Sequence, residues 1–292
     1  MADYTFGLSE FTTWPWSFEE DVRLCVELGI PSIEVTEFKL DRAGFAEQLR
    51  SIAENELRVS SVQMTIHSLF KDSLVGEPSD ETHRLQHMRA SIERISPHVP
   101  EGTPFVVITG AAPDGNVERT RESCKRAFAD LAELAGSFGM RLALEALNPV
   151  LMNTDTAIWS LGDAQRLVED VGRDNFGLCV DFWNIWQTPN VESVIESAGE
   201  RIFVVQTSDY APPRASADRR NIGEGEIPMS ALVSALRRAR FEGPYVLEIF
   251  SSQSLPDSIW SSDLRSTVAK NMRAFESVWQ ASSPTLQPFD NA

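Results

Sequence analysis

Short apolar runs alternate with amphipathic segments along almost the whole chain, and this alternation restricts the possible folds more than any other feature. Helical periodicity is clear in one amphipathic segment from Phe128, Leu131 and Ala135. The predicted strands are Tyr4–Leu8, Ser32–Val35, Val59–Met64, Phe105–Thr109, Arg141–Glu145, Phe176–Asp181, Ile202–Gln206 and Tyr245–Phe250. The predicted helices are Phe18–Leu28, Arg42–Asn55, Asp80–Ile95, Glu118–Phe138, Gly162–Val171, Val191–Ala198, Met229–Arg240 and Asp263–Gln280.

Eight β/α units within 292 residues match a single α/β barrel of the (β/α)8 TIM type in number and length. An open, doubly wound sheet would show the same alternation. The strands of a barrel all end at one mouth, whereas those of an open sheet end along an edge. Because polar residues occur at the ends of the last four predicted strands, we favour the barrel. We predict it over residues 1–281, with the active site at the strand C-termini and a flexible tail over residues 282–292.

Those four polar residues predict a metal site. They are Glu145, Asp181, Gln206 and Glu248. A carboxylate that follows a buried apolar run is costly to desolvate unless its charge is compensated. Three carboxylates and one amide oxygen suit one hard divalent cation, Mn²⁺ first, with Mg²⁺, Co²⁺ and Zn²⁺ as further candidates. Taken singly, each residue could instead cap a helix or pair with an arginine, and Gln206 could serve only as a hydrogen-bond anchor.

Composition excludes several partners. The net charge of −17 argues against a nucleic-acid partner, because affinity for the phosphate backbone comes from clustered Lys and Arg. No apolar run approaches the 18 or so residues of a membrane span, and no leader-like segment opens the chain. We therefore expect a cytoplasmic protein with a small-molecule substrate.

Four motifs give the chain a resemblance to a known family. They are Glu145–Pro149, Val180–Asn184, Val204–Asp209 and Val246–Glu248. In this order they resemble the xylose isomerase-like TIM barrels, and more narrowly the sugar phosphate isomerase/epimerase group. That group includes ketose 3-epimerases, inosose isomerases and dehydratases, hydroxypyruvate isomerases and 3-dehydroshikimate dehydratases. The resemblance implies that the four strand-end residues are metal ligands. It also implies a homodimer or homotetramer.

The chain departs from the family pattern at Gln206, at Asn184 and at Ile222, which stands where the family's Arg-x-x-Pro-Gly-x-Gly segment has proline. Many members have histidine where Gln206 stands, and the family's Asp-x-x-His becomes Asp181-x-x-Asn184 here. The usual histidine contacts substrate oxygens; Asn184 can hydrogen-bond a hydroxyl but cannot carry a proton. Arg219 matches the arginine of the family's Arg-x-x-Pro-Gly-x-Gly segment. It could hold a substrate carboxylate, phosphate or hydroxyl pair, or be a solvated loop residue neutralised by Asp218.

Three further residues are candidates for substrate contact. His67 is the only histidine predicted near a strand end, which places it at the barrel mouth. Trp16 follows the first strand and Trp183 the sixth, so both could form a wall that excludes water. Ordinary structural packing is the alternative for all three.

The predicted chemistry is proton transfer through a metal-stabilised enediolate. A cation bound to a carbonyl and its neighbouring hydroxyl acidifies the adjacent C–H, and Glu145 and Glu248 are the natural base and acid. The leading hypothesis is an isomerase or epimerase of a small polyhydroxy carbonyl compound. The second is a dehydratase of a cyclic keto compound such as 3-dehydroshikimate or inosose, which Gln206 favours. Four scattered histidines and the acidic charge exclude the endonuclease IV-like barrels, which need a histidine-rich zinc site. A non-catalytic sugar-binding barrel, or a subunit of a complex, is the alternative that Asn184 favours.

Overall fold

Eight parallel strands close into a barrel in the computed structural model, which describes residues 4–212 and 218–282. Each strand pairs with its neighbour in chain order, and the first also pairs with the last. The strands are β1 Phe6–Ser9, β2 Ser32–Thr36, β3 Arg58–Ser68, β4 Pro104–Ile108, β5 Arg141–Glu145, β6 Phe176–Asp181, β7 Ile202–Thr207 and β8 Tyr245–Leu247. The predicted single TIM barrel is confirmed.

The helices surround the barrel, and all eight predicted helices are present with ends shifted by three residues or fewer. Ser17 shows why one begins where it does, because its hydroxyl accepts from the Glu20 N–H while the Glu20 carboxylate accepts from the Ser17 N–H. The helices are α1 Phe18–Leu28, α2 Phe45–Glu54, α3 Glu81–Ile95, α4 Val117–Ser137, α5 Leu161–Val171, α6 Phe182–Ile185, α7 Val191–Ala198, α8 Met229–Arg238 and α9 Leu264–Ala281. The short α6 was not predicted.

The alternation of side chains along each strand positions the polar residues. Leu142 and Leu144 of β5 belong to the large apolar core that the helices share. Ala143, one residue along, instead joins a small apolar cluster with side chains from β4, β6 and β7. Since successive strand residues face opposite ways, Glu145 lies on the same side as Ala143.

The same two-residue step recurs on the next three strands. Each polar residue follows a buried small or branched residue by two positions: Cys179 precedes Asp181, Val204 precedes Gln206, and Val246 precedes Glu248. The ladder also pairs Asp181 with Gln206 directly. The small cluster therefore fills the barrel interior, and the polar side chains form the layer above it.

Several predicted boundaries change. β8 ends at Leu247, so Glu248 lies just beyond the strand, and β3 extends to Ser68, so His67 lies inside it. Helix α9 ends at Ala281 and Ser282 caps it; the rest of the predicted tail, residues 283–292, lies outside the described residues. None of the helices in the described part of the chain is long and apolar enough to cross a lipid bilayer.

Gly177 of β6 provides a test of the close packing around the barrel. A Cβ atom there would lie 2.4 Å from the carbonyl oxygen of Arg201 and 2.5 Å from the ring of Phe203. We expect Gly177→Ala to lower the free energy of unfolding by about 2 kcal/mol. Gly162 in the first turn of α5 is the control, because a Cβ there meets nothing within 4 Å, and Gly162→Ala should match or slightly exceed the wild type. Equal urea midpoints for the two variants would contradict this packing.

Candidate active site

The four predicted strand-end residues converge at the C-terminal mouth of the barrel. Their side chains are all buried, with Asp181 and Gln206 fully inaccessible to solvent. Gln206 and Glu248 are joined by a side-chain hydrogen bond, with Nε2 and Oε1 2.8 Å apart. The others are linked through N–H donors that lie between the carboxylates.

Asn184 is the donor between two of the acids. Its Nδ2 atom lies 2.7 Å from Oε1 of Glu145 and 2.8 Å from Oδ2 of Asp181. Helix α6 positions it, because Oδ1 of Asp181 caps this helix by accepting from the Trp183 N–H at 3.0 Å. The predicted contact of Asn184 with substrate stays a prediction; in this structure its amide orders the two carboxylates.

Gln206 donates rather than accepts within the cluster. Besides Glu248, its Nε2 atom lies 3.0 and 3.1 Å from the two carboxylate oxygens of Glu34. Its Oε1 accepts from the Cys179 thiol at 3.1 Å. Sequence reasoning missed Glu34, which lies in the middle of β2 and also accepts from the Ser61 hydroxyl at 2.6 Å. The feature of the sequence that could have identified Glu34 is the occurrence of a carboxylate within the otherwise apolar run Ser32–Val35.

Arg219 provides the positive charge of the site. One guanidinium nitrogen, Nη1, lies 2.8 Å from Oδ2 of Asp181 and 2.8 Å from Oε2 of Glu248. The guanidinium also packs on the rings of Trp183 and Phe250, with its carbon 5.2 and 4.9 Å from their centroids. The alternative of a solvated loop arginine is wrong, because Arg219 is buried and forms ion pairs with Asp181 and Glu248.

Burial and mutual repulsion change the acidity of the cluster. Burial, reinforced by the charge of Asp181, raises the pKa of Glu145 to about 8. Burial likewise raises the pKa of Glu248 well above its ordinary value, although Arg219 opposes the shift. The pKa of Asp181 is raised for the same reason and with the same opposition. Together with Glu34, these carboxylates outnumber the one guanidinium that contacts them, so the cluster attracts protons or a further cation.

The donor set fits a hard divalent cation in kind and in charge. All its candidate ligand atoms are oxygens, and a buried excess of negative charge favours a divalent ion. Within residues 4–212 and 218–282, however, no three His, Cys, Asp or Glu side chains are grouped so as to hold a metal ion. The reason is that their oxygens point at the N–H groups of Asn184, Gln206 and Arg219. A cation would need the oxygens that these donors now engage.

A cavity of about 320 Å³ opens above the cluster, and Glu145, Glu248 and Arg219 form part of its floor. His67 lines it as well, with Nδ1 3.2 Å from the carbonyl oxygen of Met64, and burial lowers the pKa of this imidazole. The rest of the wall includes Phe11, Gln63, Asp72, Leu147, Leu151, Asp155, Phe250 and Trp260.

The two predicted tryptophans do not line this cavity. Trp183 is buried beneath the guanidinium of Arg219, so it supports the site from behind. Trp16 lies elsewhere, in a separate surface depression with Glu20, Arg23 and Arg265. The structure therefore brings His67, Asn184 and Arg219 to the predicted metal ligands but not Trp16.

Comparison with known proteins agrees with this architecture. The family model for xylose isomerase-like TIM barrels matches residues 22–274. The chain belongs to this family. An inosose isomerase of Halalkalibacterium halodurans is 27% identical over 154 residues, which are 50% of this chain and 53% of that protein. The match thus spans about half the length of this curated relative.

Two solved structures superpose over nearly the full chain. The IOLI protein crystallised with a zinc atom has a TM-score of 0.76 at 19% identity, covering 94% of this chain and 98% of its own. D-Allulose 3-epimerase from Methylomonas sp., in complex with D-allulose, has a TM-score of 0.72 at 17% identity, covering 94% of this chain and 96% of its own. At these identities the likeness shows the fold.

The crowding of carboxylates predicts an unusual response to removal of one charge. We expect Glu34→Gln to stabilise the metal-free protein by about 1 kcal/mol, because it reduces repulsion and keeps an oxygen for Gln206. Glu37→Gln is the control on the adjoining segment. Glu37 pairs with Arg94 and accepts from the Thr65 N–H, so its neutralisation should destabilise by about 1 kcal/mol. Urea denaturation with chelator present measures both; the same sign for both variants would contradict the electrostatic argument.

Proposed function

We propose that this protein is a divalent-metal-dependent isomerase or epimerase of a small polyhydroxy carbonyl compound. The observation that carries the proposal is the position of Glu145 and Glu248. Both carboxylates line the cavity above the cluster, and both belong to the hydrogen-bonded network. An acid and a base at one cavity are what proton transfer at carbon requires.

The proposed ligands of the cation are Glu145, Asp181, Gln206 and Glu248. When bound, a divalent cation supplies Lewis-acid polarisation of a carbonyl and its neighbouring hydroxyl. Gln206 would contribute Oε1, the atom that accepts from Cys179 in this structure. A zinc atom in the related IOLI structure supports a metal in this fold, and the oxygen ligands favour Mn²⁺ or Mg²⁺ for this chain.

The chain's own residues handle the proton. In the metal-free protein burial raises the pKa of Glu145 to about 8, so this carboxyl can hold a proton near neutral pH, and a bound cation would favour its release. Glu248, also with a raised pKa, is the second partner of the pair. Asn184 fixes one oxygen of Glu145, while Gln206 and Arg219 each fix one oxygen of Glu248. Both carboxyl groups are therefore held in a fixed orientation in the metal-free protein.

The names of the relatives support the substrate class. An inosose isomerase and a D-allulose 3-epimerase each act on a polyhydroxy carbonyl compound, as their names state. The cavity of about 320 Å³ is of a size for a molecule of that class. Its apolar walls, which include Leu147, Phe250 and Trp260, suit the carbon faces of a ring or chain.

The test is metal-dependent exchange of a substrate C–H proton. We expect a panel of ketoses and cyclic keto-polyols in D₂O to include compounds that incorporate deuterium when Mn²⁺, Mg²⁺, Co²⁺ or Zn²⁺ is supplied. Glu145→Gln and Glu248→Gln should each lower the exchange rate by about 100-fold or more. Glu226→Gln, at an exposed loop position, is the control and should leave the rate unchanged.

Two other results would assign a different function, and a third would change the proposed mechanism. Release of a dehydrated product would assign a lyase. Binding of sugars without exchange would assign a non-catalytic sugar-binding barrel. Exchange that persists in both glutamine variants would remove the acid–base pair from the mechanism.

His67 should contribute to substrate binding as a neutral hydrogen-bonding group. Because burial lowers its pKa, the imidazole is uncharged at neutral pH, and Met64 engages only one of its nitrogens. We expect His67→Ala to raise KM about five- to tenfold, the value of one hydrogen bond, with little change in kcat. His83→Ala on the exposed face of α3 is the control. A large fall in kcat would instead indicate proton transfer by His67.

A further inference from the structure

Arg219 and a divalent cation would use the same oxygens. Nη1 lies 2.8 Å from an oxygen of Asp181 and 2.8 Å from an oxygen of Glu248, which is the position of a shared counter-ion. Among the residues that the structure describes, no other positively charged group contacts Glu34, Glu145, Asp181 or Glu248. The guanidinium alone therefore compensates the buried charge of these acids.

The acids and the arginine are held by different parts of the fold. Asp181 ends β6 and Glu248 directly follows β8, so both belong to the rigid barrel. Arg219 belongs to the connection between β7 and α8, and its backbone N–H donates to the Phe250 carbonyl oxygen. Its side chain also lines the cavity. The guanidinium can therefore withdraw into the cavity by rotation of its side chain, while the carboxylates stay in place.

We infer that Arg219 is a built-in competitor of the divalent cation. It neutralises Asp181 and Glu248 in the metal-free protein, and the cation binds these oxygens only as the guanidinium leaves them. Two cations cannot lie between the same two oxygens, because their mutual repulsion in a buried site is strong. This inference rests on the proposed function, since it takes the same carboxylates as ligands.

A consequence is that loss of the guanidinium should strengthen metal binding. Most substitutions near a metal site weaken it, because ligands lose their orientation. Arg219→Met keeps the length and the apolar stem but removes the competing charge. We therefore expect the Kd for Mn²⁺ to fall by about tenfold or more, within the usual range for coupled binding.

The experiment is isothermal titration of wild-type and variant proteins with Mn²⁺ alone, after treatment with chelator. Arg220→Met is the control, because Arg220 carries the same charge next in sequence but pairs with Asp218 rather than with the strand-end acids. Its Kd should stay within about twofold of the wild type. Circular dichroism verifies folding. If Arg219→Met does not fold without metal, wild-type crystals soaked in Mn²⁺ provide the test, and Nη1 should lie beyond hydrogen-bonding distance of both acids.

The outcomes distinguish failure of this inference from failure of the proposed metal site. Tighter Mn²⁺ binding by Arg219→Met, with Arg220→Met unchanged, supports the inference. Mn²⁺ binding by Arg219→Met but not by the wild type also supports it, and it removes metal dependence from the proposed function of the native protein. Equal affinity in all three proteins overturns the inference and leaves the proposed metal site intact. A soaked crystal in which Nη1 still contacts Asp181 beside the bound ion overturns the inference. Absence of Mn²⁺ binding by all three proteins overturns both the inference and the proposed metal site.

Discussion

The concentration of buried carboxylates around a single guanidinium is the constraint on which the rest of this structure depends. Closed barrel geometry brings Asp181 and Glu248 together with Glu145 and Glu34, although they belong to four different strands or strand ends. Such a cluster is stable only if donors occupy the space between the acids. Neutral amides and one arginine do so, and the helices, loops and aromatic rings around the mouth hold those donors in position.

The fold could be predicted because its signal is periodic. Every strand and every long helix repeats an apolar pattern, and the count of eight sets the barrel. The site was predictable only in part. Glu145 and Asp181 stand out because they end apolar runs, whereas Glu34 is a carboxylate inside a strand whose partner, Gln206, is distant in sequence. A local sequence pattern does not predict contacts across the barrel. The role of Glu34 and the ion pair of Arg219 with Asp181 could therefore be identified only from the structure.

Two neutral amides among the acids determine how this site can treat protons. Gln206 and Asn184 donate hydrogen bonds to carboxylates but do not titrate. Movement of protons within the cluster is thereby restricted to the acids themselves. Burial raises the pKa of Glu145 and of Glu248, and an amide, unlike an imidazolium, adds no positive charge that would oppose this shift.

Asp181 has a structural role in addition to its place in the charge cluster. One oxygen receives Arg219 and Asn184, and the other caps the first turn of α6. The carboxylate is therefore connected through the first turn of α6 to Trp183. The ring of that residue lies against the guanidinium on one side and faces Tyr210 on the other. A continuous series of contacts thus joins the acids at the bottom of the cavity to the loop that follows β7, so the packing of that loop and the position of the Asp181 carboxylate depend on the same tryptophan.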